Sequence, residues 1–378
     1  MSFLGKFISV FTAVTIDQDS GILLQNEEAP AWYVRRIRLW NFLEPFAVYG
    51  AIMLVVWGSM LDPAVWWVKP CLGALVVWCL IITPFVHYPF EKDLFLTESQ
   101  RNRGVWFYFF ECRGLGSPIR YYLSVDGEPP QIRSHYKTIV GVTLFLDLLF
   151  VSAFITFNED VRQRFGASMG DTVGQNILFL VWMLFLIDAG LVLLAYPWML
   201  RLDNFHKSLR FIAAFVLLVT VMAVVGNLLF HLNEDALREG FKDNPYMSLR
   251  GARAIERLKG LNAFAVGGQW SGYVFWGFLQ ELLFLGVFAT QINRAFDIGR
   301  SRLHVLLACL CTATLFGLIH LPNFWLGLVT FLGGLFGALC FMQCPNLFAL
   351  GIVHGYGGTM MNKLLPINFS VGPSEVAR

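Results

Sequence analysis

Residues 270–291, WSGYVFWGFLQELLFLGVFATQ, carry one charged side chain, Glu281, in a run dominated by aromatic, aliphatic and small residues. Crossing the hydrocarbon of a bilayer takes roughly 20 such residues in a helix, which alone satisfies its own backbone hydrogen bonds there. The stretch therefore reads as a transmembrane helix. Glu281 becomes an ionisable group in hydrocarbon, which costs several kcal/mol unless partnered and so marks a functional position.

Working outward, the same criterion finds eight or nine spanning segments, near 41–61, 65–87, 138–157, 175–197, 210–232, 270–291, 303–320 and 323–342, with a shorter run at 347–361. The fold class is all-α, a polytopic transmembrane helix bundle. Composition agrees: of 378 residues, 56% are hydrophobic and 14% charged, with a mean hydropathy of +0.59, far from an ordinary soluble domain. The net charge of +2 reports loop cations and orientation, and nothing supports nucleic-acid binding.

Six of the seven cysteines, Cys71, Cys79, Cys309, Cys311, Cys340 and Cys344, lie in or beside apolar runs and read as small core hydrophobes. Cys112 falls in a polar loop with no Cys or His at zinc-ligand spacing. The N-terminal MSFLGKFISVFTAVTI lacks a small-x-small cleavage site and reads as an interfacial amphipathic helix. Two polar loops follow, at about 91–137, with a hairpin signal at Asp126-Gly127 and Pro129-Pro130, and at about 233–269. Loop Lys and Arg residues, including Arg35, Arg36, Arg38, Arg201, Lys207, Arg294 and Arg300, place the N-terminus in the cytoplasm. The expected location is a plasma (inner) membrane. The chain divides by chemistry into an N-terminal helical half, 1–264, and a C-terminal core, 265–378, in which Gly333 and Gly337 share a helical face suited to close packing.

That core holds the three strongest intramembrane polar signals: Gln280-Glu281, His320 in LFGLIHLPN, and His354 in LGIVHGYGG. A carboxylate and two imidazoles on separate spans imply one shared polar pocket. Phe316 and His320 are four residues apart and share a helical face, and Pro322 marks a helix end.

The motif order resembles the CPBP family of intramembrane endopeptidases, which groups CAAX prenyl proteases with bacteriocin-processing proteins. The resemblance covers about residues 265–365. It implies a membrane-embedded protease without metal or other cofactor, in which a Glu and the second-motif His activate water. By that resemblance Phe316, His320 and Asn323 match the second motif, FxxxH and its continuation. Gln280 stands at the first Glu of the family's EExxxR, Glu281 at the second and Leu285 at the Arg. His354 matches the third motif, HxxxN, with Gly358 in place of the amide. Gln cannot act as a general base, and losing an oxyanion donor typically costs about two to three orders of magnitude in rate.

Two outcomes are consistent with this pattern. Either Glu281 serves as base, with His320 positioning the water and His354 stabilising the oxyanion, or the chain is a degenerate relative that binds without cleaving. The candidate site is thus Glu281, His320 and His354, with Gln280, Phe316, Asn323 and Gly358 in support. A zinc reading of the three is disfavoured by the absence of an HExxH pair. Rival classes are a scaffold or immunity-type binding protein and a proton-coupled transporter using Asp147, Asp188 and Glu281. Expected partners are membrane lipids, a membrane-associated or exported peptide substrate and a membrane-protein partner. Glu44 and His231 lie near helix ends and are expected to reach the interface.

Overall fold

The structure, a computed structural model, describes residues 21–61, 68–102, 205–242, 277–296, 301–321 and 323–363, with short pieces at 104–105, 108–109, 112–113, 145, 147–148, 184, 247–249, 273–274, 365 and 367–369. Helices dominate: α1 (Ala31–Leu61), α2 (Val68–Val77), α3 (Thr83–Phe95), α4 (Glu98–Asn102), α5 (Phe205–Leu232), α6 (Glu234–Phe241), α7 (Thr290–Ala295), α8 (Arg302–Leu318), α9 (Phe324–Gln343) and α10 (Leu347–Lys363). Two stretches are π-helical, Trp78–Ile82 between α2 and α3, and Leu282–Ala289 leading into α7. Beyond the all-helical expectation, β1 (Met247–Leu249) pairs antiparallel with β2 (Ile367–Phe369).

Among the described residues, two helices are long and apolar enough to cross a membrane, Ser208–Leu232 and Phe324–Gln343, and Arg302–Leu318 is a shorter apolar helix. Apart from the short pieces at 145, 147–148 and 184, the segments expected at 138–157 and 175–197 lie outside the described residues, as do the hairpin signal near 126–130 and Asp188.

The run 277–295 is the central element. In its π stretch Leu282, Phe284, Leu285, Gly286, Val287, Phe288 and Ala289 are all buried, because apolar side chains point in every direction and two clusters receive them. Leu282, Leu285 and Ala289 join Phe336, Leu339, Cys340 and Leu347 on one side. Phe284, Val287 and Phe288 join Val48, Ile52, Cys79 and Phe316 on the other. The helix thus separates α9 and α10 from α1 and the π stretch at 78–82. Leu285, where the resemblance would put an Arg, is 1% exposed in the first cluster.

The helix ends follow local chemistry. Ser301 caps α8 by accepting from the Leu303 N–H at 3.1 Å, and Asn323 caps α9 by accepting from Leu326 N–H at 3.0 Å. Antiparallel α8 and α9 close on each other where Gly317 meets Gly327. A Cβ at 317 would lie 2.9 Å from the Gly327 carbonyl oxygen, so only glycine permits this approach.

One expectation is corrected. Glu44 does not reach an interface: its side chain is 9% exposed and paired with His87. Cys112 lies in a turn, as its reading as a loop residue implied, and is 2% exposed, with its sulfur accepting from an Arg294 N–H at 2.8 Å.

Candidate active site

The run 277–295 approaches α10 through small residues. A Cβ on Gly277 would lie 2.6–2.8 Å from the His354 side chain, and one on Gly351 would lie 3.3 Å from the Phe278 Cβ. Glycine at these positions lets the two backbones come close enough for a short carboxylate and an imidazole to meet. Glu281 and His354 do meet, with His354 Nδ1 3.1 Å from Glu281 Oε1. An ionised Glu281 accepts from Nδ1–H, which fixes the imidazole orientation and leaves Nε2 on the side of the ring away from the carboxylate. Their side chains keep 15% and 20% exposure, so the pair is covered without being sealed.

His320 lies just past the end of α8, 9% exposed. Its Nδ1 is 2.8 Å from the Phe316 carbonyl. A carbonyl only accepts, so Nδ1 carries the proton in the neutral ring and Nε2 holds the lone pair. Phe316 joins the two imidazoles: its ring packs edge-on against His320 at 5.3 Å and against His354 at 6.0 Å between centroids. Phe284, from the helix that bears Glu281, packs on the same ring at 5.0 Å. Glu281, His320 and His354 therefore gather around Phe316, the first two by way of His354 and that ring.

The supporting residues divide. Phe316 packs on His320, as their spacing implied, and also on His354, which the spacing did not imply. Gln280 is half-buried beside Glu281. Asn323 spends its side-chain oxygen on the α9 cap, which gives it a local structural role. Gly358 lies against the Tyr273 ring, 2.7 Å from where its Cβ would be, so an aromatic side chain fills the space over the position where the resemblance puts an amide.

A second polar centre was missed. Glu44 of α1, His87 and Glu91 of α3, and Gln291 and Arg294 of the central helix form one buried network. His87 Nε2 contacts Glu44 Oε2, and its Nδ1 is 2.7 Å from Glu91 Oε1. Asn41 donates to Glu91 Oε1, Tyr108 donates to Oε2 at 2.9 Å and Arg294 pairs with Oε2 at 2.7 Å. Gln291 donates to Glu44 Oε2 at 3.0 Å. Trp40 stacks on His87 at 4.1 Å, and the Arg294 guanidinium lies 4.4 Å from the Tyr108 ring centroid. Burial pushes the Glu91 carboxyl up, but Arg294, His87 and Asn41 outweigh it and hold the group down at about 2. The only chain-local signal was His87 and Glu91 at i and i+4. Buried and paired, Arg294 no longer counts among the loop cations that report orientation.

Residues 264–360 match the family described as type II CAAX prenyl endopeptidase Rce1-like. No curated protein and no solved structure matches the chain. The match covers about a quarter of the 378 residues and includes Glu281, Phe316, His320, His354 and Gly358. Over residues 264–360 the chain is thus similar to the Rce1-like family, the relationship that the order of the three motifs implied.

Proposed function

We propose that the protein is a membrane-embedded endopeptidase of the CAAX-protease type, spanning the bilayer eight or nine times and hydrolysing a membrane-associated peptide with water activated at Glu281. The observation that carries this reading is the Glu281–His354 contact beside His320. An acid and two imidazoles from three helices meet in a half-covered pocket, a costly arrangement in hydrocarbon unless it is used.

In this reading Glu281, oriented by His354 Nδ1–H, takes a proton from water. His320 Nε2 accepts that water's other hydrogen and directs its oxygen at the scissile carbonyl. Hydroxide adds to the carbonyl carbon, the carbonyl oxygen takes the negative charge, and His354, entering the step as an imidazolium with Nδ1–H on Glu281, donates its second N–H, at Nε2, to that oxygen. Collapse breaks the C–N bond, and the proton held at Glu281 passes to the leaving amine. Gln280 lines the pocket as a neutral hydrogen-bonding group. Tyr273, lying over Gly358, closes its far end. The substrate is a peptide held at the membrane surface by its own anchor, on the extracytoplasmic side if the N-terminus is cytoplasmic.

The full chain reconstituted in liposomes is to be assayed with quenched fluorescent peptides bearing a farnesyl or a palmitoyl anchor, presented from either face. Cleavage that disappears in Glu281→Gln and His354→Ala, with both variants folded, supports the reading. Peptide binding without cleavage by the wild-type protein would sink the catalytic reading and leave a binding protein.

A further inference from the structure

The central helix serves two polar centres that face different neighbours. Its N-terminal part presents Glu281 to α10. Its C-terminal part presents Gln291 to α1 and Arg294 to α3 and the N-terminal strap, where Arg294 Nε also donates to the Gly21 carbonyl at 3.0 Å. Both ends are fixed in azimuth. Close glycine contacts at 277 and 351 leave no room for rotation at one end. A charged side chain 3% exposed, bonded to three separate segments, prevents it at the other.

Between them lies the π stretch Leu282–Ala289. A π turn closes i to i+5 and takes in one more residue than an α turn, so the chain before it is turned by about one residue, roughly 100°, relative to an uninterrupted α-helix. Without that offset, holding Arg294 on Glu91 would bring Leu282, not Glu281, to the azimuth that faces His354. Such a stretch is rare and frequently found at functional sites, and here it sits between the two polar centres.

We propose that Arg294 and Gln291, held by Glu91 and Glu44, form a rotational anchor, and that the π stretch supplies a one-residue offset, so that together they aim Glu281 at His354. These are positioning residues, which act through Glu281. The inference deepens the proposed reaction and rests on it for its activity measurements, while its geometric half is testable without any substrate.

Removing one residue from inside the π stretch would let it close as α-helix with both ends facing as before. Adding one would turn Glu281 away. In the full chain, a Phe278→Cys/Gly351→Cys pair reports this azimuth: the two Cβ positions are 3.3 Å apart, close to the ~3.5–4.5 Å of a disulfide. Oxidised protein is digested and the 278–351 bridge is quantified by mass spectrometry in three backgrounds: unaltered, Leu283 deleted, and one alanine inserted after Leu283.

The bridge is expected in the first two and absent from the third. On the wild-type cysteine background, hydrolysis by the deletion variant should stay near the parental rate, and the insertion variant should lose about a hundredfold or more. A bridge lost on deletion, whether by rotation or by misfolding, overturns the proposal, as does a bridge kept on insertion. The double variant Glu91→Gln/Arg294→Met leaves no charge unpaired. A fall in kcat with KM unchanged supports the anchor, and unaltered kcat overturns it. If Glu281→Gln hydrolyses like the wild type, the proposed reaction is wrong, and the bridge pattern alone then decides the positional claim.

Discussion

The two polar centres on the central helix are built from the same residue types and finished differently. Around Glu91 both carboxylate oxygens are met: they receive Asn41, His87, Tyr108 and Arg294, and the side chain has no exposure. Around Glu281 one imidazole contacts the carboxylate, and 15–20% of each side chain stays open. The Glu91 carboxylate has no valence left for a substrate, so it fixes geometry, even though Asn41 Oδ1 and Gln291 Oε1 beside it are buried without a partner among the described residues. An unsaturated centre in a half-open pocket has donors and acceptors to spend on a reacting molecule.

Single substitutions can break or sharpen that contrast. Glu281→Gln should cost about two to four orders of magnitude in hydrolysis and leave the melting temperature in detergent near wild type; a large loss of stability would place Glu281 in the structural class instead. Glu91→Gln should do the reverse. Stranding Arg294 in the interior is expected to destabilise by about 3–5 kcal/mol, read as a shift in the denaturant midpoint, and a wild-type midpoint would show the centre to be unimportant for folding.

The pH response follows from the depressed Glu91 carboxyl. Its folded value of about 2 lies below the unfolded value near ~4.3, so its stabilisation is complete above that unfolded value. Stability is lost as pH falls from about 5 toward 2, by something on the order of 3 kcal/mol. Unfolding midpoints over that window should slope in the wild type and flatten in Glu91→Gln, and parallel slopes would assign the acid sensitivity elsewhere. Gly277→Ala drives a methyl into the His354 ring and should cost about 1–3 kcal/mol, with a fall in kcat from the displaced imidazole; full activity would mean His354 has freedom that the packing denies. Smallest of all, Thr220→Ala removes the 2.8 Å bond to Tyr356 between α5 and α10 and should cost about 1 kcal/mol by thermal denaturation, with unaltered hydrolysis.

The open centre was legible in the sequence and the closed one was not, for a physical reason. Glu281, His320 and His354 each interrupt an apolar run, where an ionisable group has no cheap local explanation. Glu44 and Arg294 sit beside the ends of such runs, where an interfacial or loop position explains them equally well. Their partners lie tens to hundreds of residues away: 43 from Glu44 to His87 and 203 from Glu91 to Arg294. Spacing carries no trace of such contacts. The resemblance supplied the convergence of the trio but not its pairing, since the carboxylate engages the third-motif imidazole and the second-motif imidazole turns its Nδ1 to the Phe316 carbonyl. The π stretch was equally silent, because LLFLGVFA has the composition of any buried helix. The β1–β2 pair joins two three-residue segments, too short for an alternating pattern to register.

The long reach between Glu91 and Arg294 has a consequence for biogenesis. During synthesis the acid leaves the ribosome 203 residues ahead of its cation. At about 5–20 residues per second the interval is some tens of seconds. Through that time α1 and α3 must shelter the carboxylate with Asn41, His87 and, 17 residues on, Tyr108, with no cation from the central helix, so a nascent chain stalled before residue 294 should be the form that quality control finds and degrades.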